Sequence, residues 1–128
     1  RRQRQMCIRD RHCVIGSDGA AFHPALQTSR AEAVIRKGFR PGIDSYSAFF
    51  ENDYKTPTGL TGYLRERDLD DLHFVGLAYD FCVAWSAVDA ARLGFQVSVI
   101  EAATRAIDLN GSREGARQTM LDAGVRLL

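Results

Sequence analysis

Between His73 and Leu128 the apolar residues change period from strand to helix and back, and this alternation restricts the fold more than any other feature. His73-Phe74-Val75-Gly76-Leu77 is a short continuous apolar run, the pattern of a buried strand. After it Val83, Ala87, Ala90 and Ala91 recur at helical spacing and give one apolar face. Asp80 is placed to cap that helix and Gly94 to stop it. Gln96 to Ile100 is rich in β-branched residues and reads as the next strand. Ser112 is placed as the cap of a last helix running to about Ala123, with Gly124 behind it, and Val125 to Leu128 opens a final strand. Strand, helix, strand, helix, strand predicts an α/β domain with a mainly parallel sheet. Right-handed crossovers bring the carboxyl ends of such strands to one edge, where sheets of this kind place their sites.

Upstream the signals are sparser. Residues 13–30 are rich in Gly, Ser, Asp and Pro and read as loop, and Ala33-Val34-Ile35-Arg36 reads as a strand ending at Lys37-Gly38. Residues 38–59 form a long loop carrying Phe39, Tyr46, Phe49, Phe50 and Tyr54. Long loops in compact domains are commonly functional, and the aromatic content favours that here. Thr61 to Arg67 reads as a short helix. The 128 residues carry a formal net charge of +1, so no global field points to nucleic acid or to a membrane surface. The Arg-rich run at residues 1–11 reads as a solvated or foreign arm rather than a nucleic-acid tail. Asp80, Asp89 and Arg92 interrupt the best apolar stretch, so no membrane span is expected. Cys7, Cys13 and Cys82 have no framework spacing, which predicts free thiols in a reducing cytoplasm.

Cys82 follows a strand after the short turn Ala78-Tyr79-Asp80-Phe81, in the first turn of the next helix. Unpaired N–H groups and the helix dipole there favour an anion, and a thiolate is one. The same N–H groups suit the oxyanion of an acyl-transfer intermediate. Position alone leaves a second reading open, that of a buried structural cysteine.

The run Gly76-Leu77-Ala78-Tyr79-Asp80-Phe81-Cys82-Val83 resembles the nucleophile segment of the isochorismatase-like cysteine hydrolases. Arg36-Lys37-Gly38 resembles the segment that carries that family's catalytic lysine. Asp44-Ser45-Tyr46-Ser47-Ala48-Phe49-Phe50 is similar to nicotinamidases in particular. So is His12-Cys13-Val14 with Gly16, Gly19-Ala20 and His23-Pro24 after it. The matches are ordered and span residues 12–128, which divides the chain into an arm, 1–11, and the C-terminal part of one hydrolase domain, 12–128.

The resemblance implies a three-layer α/β/α, Rossmann-like fold without its first strands. It implies hydrolysis of nicotinamide to nicotinate and ammonia, in NAD salvage, through a cysteine thioester that divides a difficult hydrolysis into two easier steps. Cys82 is then the nucleophile and Lys37 its charge partner. The backbone N–H groups of Ala78 and Cys82 form the oxyanion hole, with a cis peptide at Leu77–Ala78. Tyr46 and Phe49 are candidates for the wall of a pyridine pocket or, equally, for loop packing. His12 matches one ligand of a divalent metal (zinc, iron or manganese), whose remaining ligands have no match. His23 reads as structural, His73 as a surface or strand-end residue, and Trp85, on the helix after Cys82, as core packing. The family's third catalytic group, an aspartate near the N-terminus, has no match either: Asp10 precedes a loop and Asp80 reads as a cap. Trp and Pro, common before the metal histidine, are replaced by Arg9-Asp10-Arg11. The chain is therefore expected to be inactive as it stands. The implied partner is a small molecule, with neither nucleic acid nor membrane, and a homo-oligomer remains compatible. The rival readings are another small-amide or carbamoyl hydrolase of the superfamily, and a non-catalytic interaction module.

Overall fold

A computed structural model describes residues 13–128. These residues fall into two compact units, 13–34 and 35–128. The described part of the first is irregular apart from a single 3-10 turn, Asp18–Ala20, and is held by local bonds such as Ser17 Oγ to the Val14 carbonyl. This agrees with a loop reading. The expected strand at residues 33–36 does not form: no ladder is present there, and Val34 is 54% exposed. A strand needs a partner for its N–H and C=O groups, and a β-rich composition supplies none.

The second unit carries the α/β pattern. Its elements are α1 (Leu60–Glu66), β1 (Asp71–Leu77), a π-helical turn (Tyr79–Val83), α2 (Ala84–Arg92), β2 (Gln96–Arg105), α3 (Ser112–Asp122) and β3 (Arg126–Leu127). The three strands lie in the order β1-β2-β3, all parallel. Successive crossovers of one hand carry α2 and α3 to the same face, where they touch. β2 is longer than its β-branched run because the register jumps: Phe74 pairs with Val99, but Gly76 pairs with Thr104. The bulged residues between them extend the strand toward the carboxyl edge.

The core is Val97 and Val99 of β2, Val83, Ala84, Ala87, Val88 and Ala90 of the turn and α2, Met120 of α3, and Phe49, Leu64, Tyr79, Phe95 and Val125. Ala87 and Ala90 lie on the stripe that the spacing marks out. Small residues there let α2 sit close to the sheet. Along α3 the apolar stripe is Ala116, Met120 and Ala123, and only Met120 is fully buried. Both helices close with the expected glycines. Gly94 and Gly124 have positive φ, and the next residues, Phe95 and Val125, donate back to Ala90 and Met120.

The two expected caps are corrected by the structure. Neither helix has a side-chain N-cap bond, and Gly111 occupies the cap position before α3. Asp80 is 4% exposed and accepts from Ile107 N (3.0 Å), Asp108 N (2.8 Å) and Ser112 Oγ (2.6 Å). The two presumed caps bond to each other and fasten the β2–α3 connection to the turn after β1.

Candidate active site

The carboxyl end of β1 delivers the chain into the π-helical turn, and Cys82 lies within that turn rather than in α2 itself. The Leu77–Ala78 peptide is cis. Phe81 N–H and Val83 N–H both donate to the Ala78 carbonyl, at 3.2 and 3.0 Å, which wraps the turn around that oxygen. A wide turn of this kind is a frequent feature of functional sites. Cys82 is half-buried, a free thiol that is neither sealed in the core nor fully open.

Lys37 reaches it from the other side. Its Nζ lies 3.4 Å from Cys82 Sγ and donates to the Ser45 carbonyl at 2.6 Å. The neutral carbonyl fixes the ammonium beside the sulfur without cancelling its charge. The two residues are 45 apart in sequence and only the fold brings them together.

The loop after Lys37 is ordered by its own polar groups. Asn52 N–H donates to the Asp44 carbonyl while its Oδ1 accepts from Tyr46 N–H. Thr58 Oγ1 donates to the Ala48 carbonyl, Ser47 Oγ accepts from Phe49 N–H, and Phe50 bridges Pro57. Asp53 caps the small turn at its tip, and hydrogen bonds from Thr56 and Lys55 draw its carboxyl down to about 2. Tyr46 points back toward the thiol-bearing turn, with its ring 5.7 Å from Phe81 and 5.3 Å from Trp85. Tyr54 also stacks on Trp85, at 5.8 Å. Trp85 is thus a half-buried anchor for the loop rather than a core residue.

Phe49, the other candidate wall, is 1% exposed and packs on Phe74 and Phe95. Its place is in the core, because the loop folds inward where an apolar ring can bury. His23 is exposed, with Nδ1 accepting from Ala25 N–H, and His73 is exposed on β1 near Asp71. His12 and the arm at 1–11 lie outside the described residues. Among the described residues no group of three or more His, Cys, Asp or Glu is placed to hold a metal ion, so they do not form a metal site.

Three contributors had weak sequence signals. Ser86 donates to the Cys82 carbonyl at 2.6 Å and accepts from Ala48 N–H at 2.8 Å. A serine four residues after another helical position is the one available signal for such a bond. Tyr79 opens the thiol-bearing turn and donates to Glu101 Oε1 at 2.8 Å, and burial, with that carboxylate, pushes its phenol up to about 12. The Ser45 carbonyl carries no side-chain signature at all.

A parallel α/β sheet with a thiol–ammonium pair at its carboxyl edge defines a class of protein in which a strand-to-helix turn presents a cysteine to a small substrate. The chain belongs to the isochorismatase domain family, whose model matches residues 2–128. It is 54% identical over 115 residues to a nicotinamidase of Acinetobacter baylyi, covering 90% of this chain and 54% of that one. PnC1 from L. infantum, solved in complex with nicotinate, superposes with a TM-score of 0.87 at 44% identity, over 91% of this chain and 58% of that one. A pyrazinamidase of Pyrococcus horikoshii in complex with zinc superposes with a TM-score of 0.79 at 28% identity, over 92% of this chain and 61% of that one. The chain therefore spans about half the length of the curated relatives it matches.

Proposed function

We propose that this chain is the thiol-bearing part of a nicotinamidase, an amide hydrolase converting nicotinamide to nicotinate and ammonia in NAD salvage. The observation that carries this reading is Lys37 Nζ at 3.4 Å from Cys82 Sγ, at the carboxyl edge of an isochorismatase-family sheet. The identity to nicotinamidases across most of the chain, and the nicotinate bound by the L. infantum neighbour, support the choice of substrate.

Cys82 thiolate attacks the amide carbonyl. The backbone N–H groups of Ala78 and Cys82 receive the oxyanion, the intermediate collapses to a thioester with loss of ammonia, and water then releases nicotinate. Lys37 holds its ammonium beside the sulfur. Tyr46 contributes an aromatic surface beside the thiol turn, which suits a flat pyridine ring. Protonation of the departing ammonia needs the family's aspartate, which has no counterpart in these residues, so the chain alone is inactive in this reading. A divalent metal (zinc, iron or manganese) belongs to the complete protein, with His12 one of its ligands. The zinc of the P. horikoshii relative supports that assignment. A reducing, cytoplasmic setting goes with the free thiols Cys13 and Cys82. No helix among the described residues is long and apolar enough to cross a membrane.

The test is ammonia release from nicotinamide by the chain as it stands and by the chain joined to a nicotinamidase N-terminal segment that supplies the aspartate and the metal ligands. Activity is expected only in the joined protein, and Cys82→Ala is expected to abolish it. Turnover by the chain alone at an intact enzyme's rate would overturn the inactivity. Silence from a folded, metal-loaded joined protein would move the substrate to another small amide or carbamoyl compound.

A further inference from the structure

We infer that Ser86 is a positioning residue that sets the distance between the Lys37 ammonium and the Cys82 sulfur, an inference resting on the cysteine–lysine pair proposed above. Lys37 Nζ donates to the Ser45 carbonyl. Three residues further along the same loop, Ala48 N–H donates to Ser86 Oγ at 2.8 Å, and Ser86 Oγ donates onward to the Cys82 carbonyl at 2.6 Å. With the Nζ–Sγ approach these bonds close a ring that runs from lysine through loop and serine to the nucleophile's own backbone.

One hydroxyl occupies the junction because it can both accept and donate, and Ser86 uses both capacities. It is buried, so water cannot replace either bond without opening the contact. Alongside these bonds the ring of Tyr46 rests on Phe81 and Trp85. Without the hydroxyl, Ala48 N–H loses its acceptor and the bond that ties this segment to the Cys82 carbonyl is gone, so the Ser45 carbonyl, and the ammonium with it, shifts relative to the sulfur.

The readout is alkylation of Cys82 by iodoacetamide in this chain, followed by peptide mass spectrometry and expressed relative to the exposed Cys13 of the same molecule. Lys37→Gln is expected to lower the Cys82:Cys13 ratio. Ser86→Ala is expected to lower it by about threefold to tenfold, the worth of about one hydrogen bond. The double variant is expected to fall no further than Lys37→Gln, because both changes remove one contact. Ser86→Thr, which keeps the hydroxyl, is expected to retain the ratio, and Ser86→Val, of the same shape, to lose it. That pair carries the test if Ser86→Ala does not fold. A purely structural serine gives the opposite sign, since loosening the turn exposes the sulfur and raises its alkylation. An unchanged or raised ratio in Ser86→Ala or Ser86→Val therefore overturns the inference while leaving the cysteine–lysine pair intact. No effect of Lys37→Gln overturns the pair, and the role of Ser86 with it.

Discussion

Asp80 shows how one side chain can organise the surroundings of Cys82 without bonding to it. Burial opposes its ionisation, but the hydrogen bonds from Ser112, Ile107 and Asp108 outweigh burial and hold its carboxyl below the usual carboxylate range. The folded state therefore binds this proton less readily than the unfolded chain does. The stability Asp80 contributes is fully present above the usual carboxylate range and is lost as the pH falls through the folded value. Acid titration of the unfolding midpoint is expected to show a fall beginning below about pH 4, and Asp80→Asn is expected to flatten that part of the curve. Asp80→Ala, which strands two backbone donors and a hydroxyl, is expected to cost about 2–4 kcal/mol in denaturant titration at neutral pH. A loss below about 0.5 kcal/mol, the range of an ordinary surface substitution, would remove the latch from the account.

At the scale of elements, α3 is the weakest piece of the sheet's cover. It buries Met120 fully and leans on Ala116 and Ala123, while its other faces are wet. Met120→Ala is expected to cost about 2–4 kcal/mol, since Met120 is the one fully buried side chain of the helix and the cavity cannot collapse without moving it. Met120→Leu, close in volume, is expected to stay within about 1.5 kcal/mol. Equal losses from the two would show that α3 is not held by this contact. Strand and helix identities were legible because β1 is a continuous apolar run, β2 opens on β-branched residues, and α2 and α3 have a helical apolar face with a glycine behind it. The strand expected at residues 33–36 failed because apolar, β-branched composition says nothing about whether a neighbour exists to pair with.

Across the whole molecule, β1 is the exposed flank. Its outer edge pairs with no strand among the described residues, and Val75 and Leu77 are 55% and 73% exposed on one face. An unpaired strand with apolar neighbours is a template for association. Sedimentation of the isolated chain is expected to show concentration-dependent association, reduced by Val75→Lys. A monomer at all concentrations, with a sharp reversible thermal transition, would count against it.

The α/β class, the order of the elements and the place of Cys82 at the end of a strand were determined by the sequence, because periodicity and stop signals are local properties. The motif around Lys37 named a partner for Cys82. The 3.4 Å approach, its support by a backbone carbonyl and the closure of the ring through Ser86 were decided only by the tertiary structure. Burial separated Phe49 from Tyr46, and folding turned Asp80 and Ser112 from two apparent caps into one latch. A hydroxyl or carboxylate bonds whichever group the fold brings within about 3 Å, and sequence spacing does not carry that information.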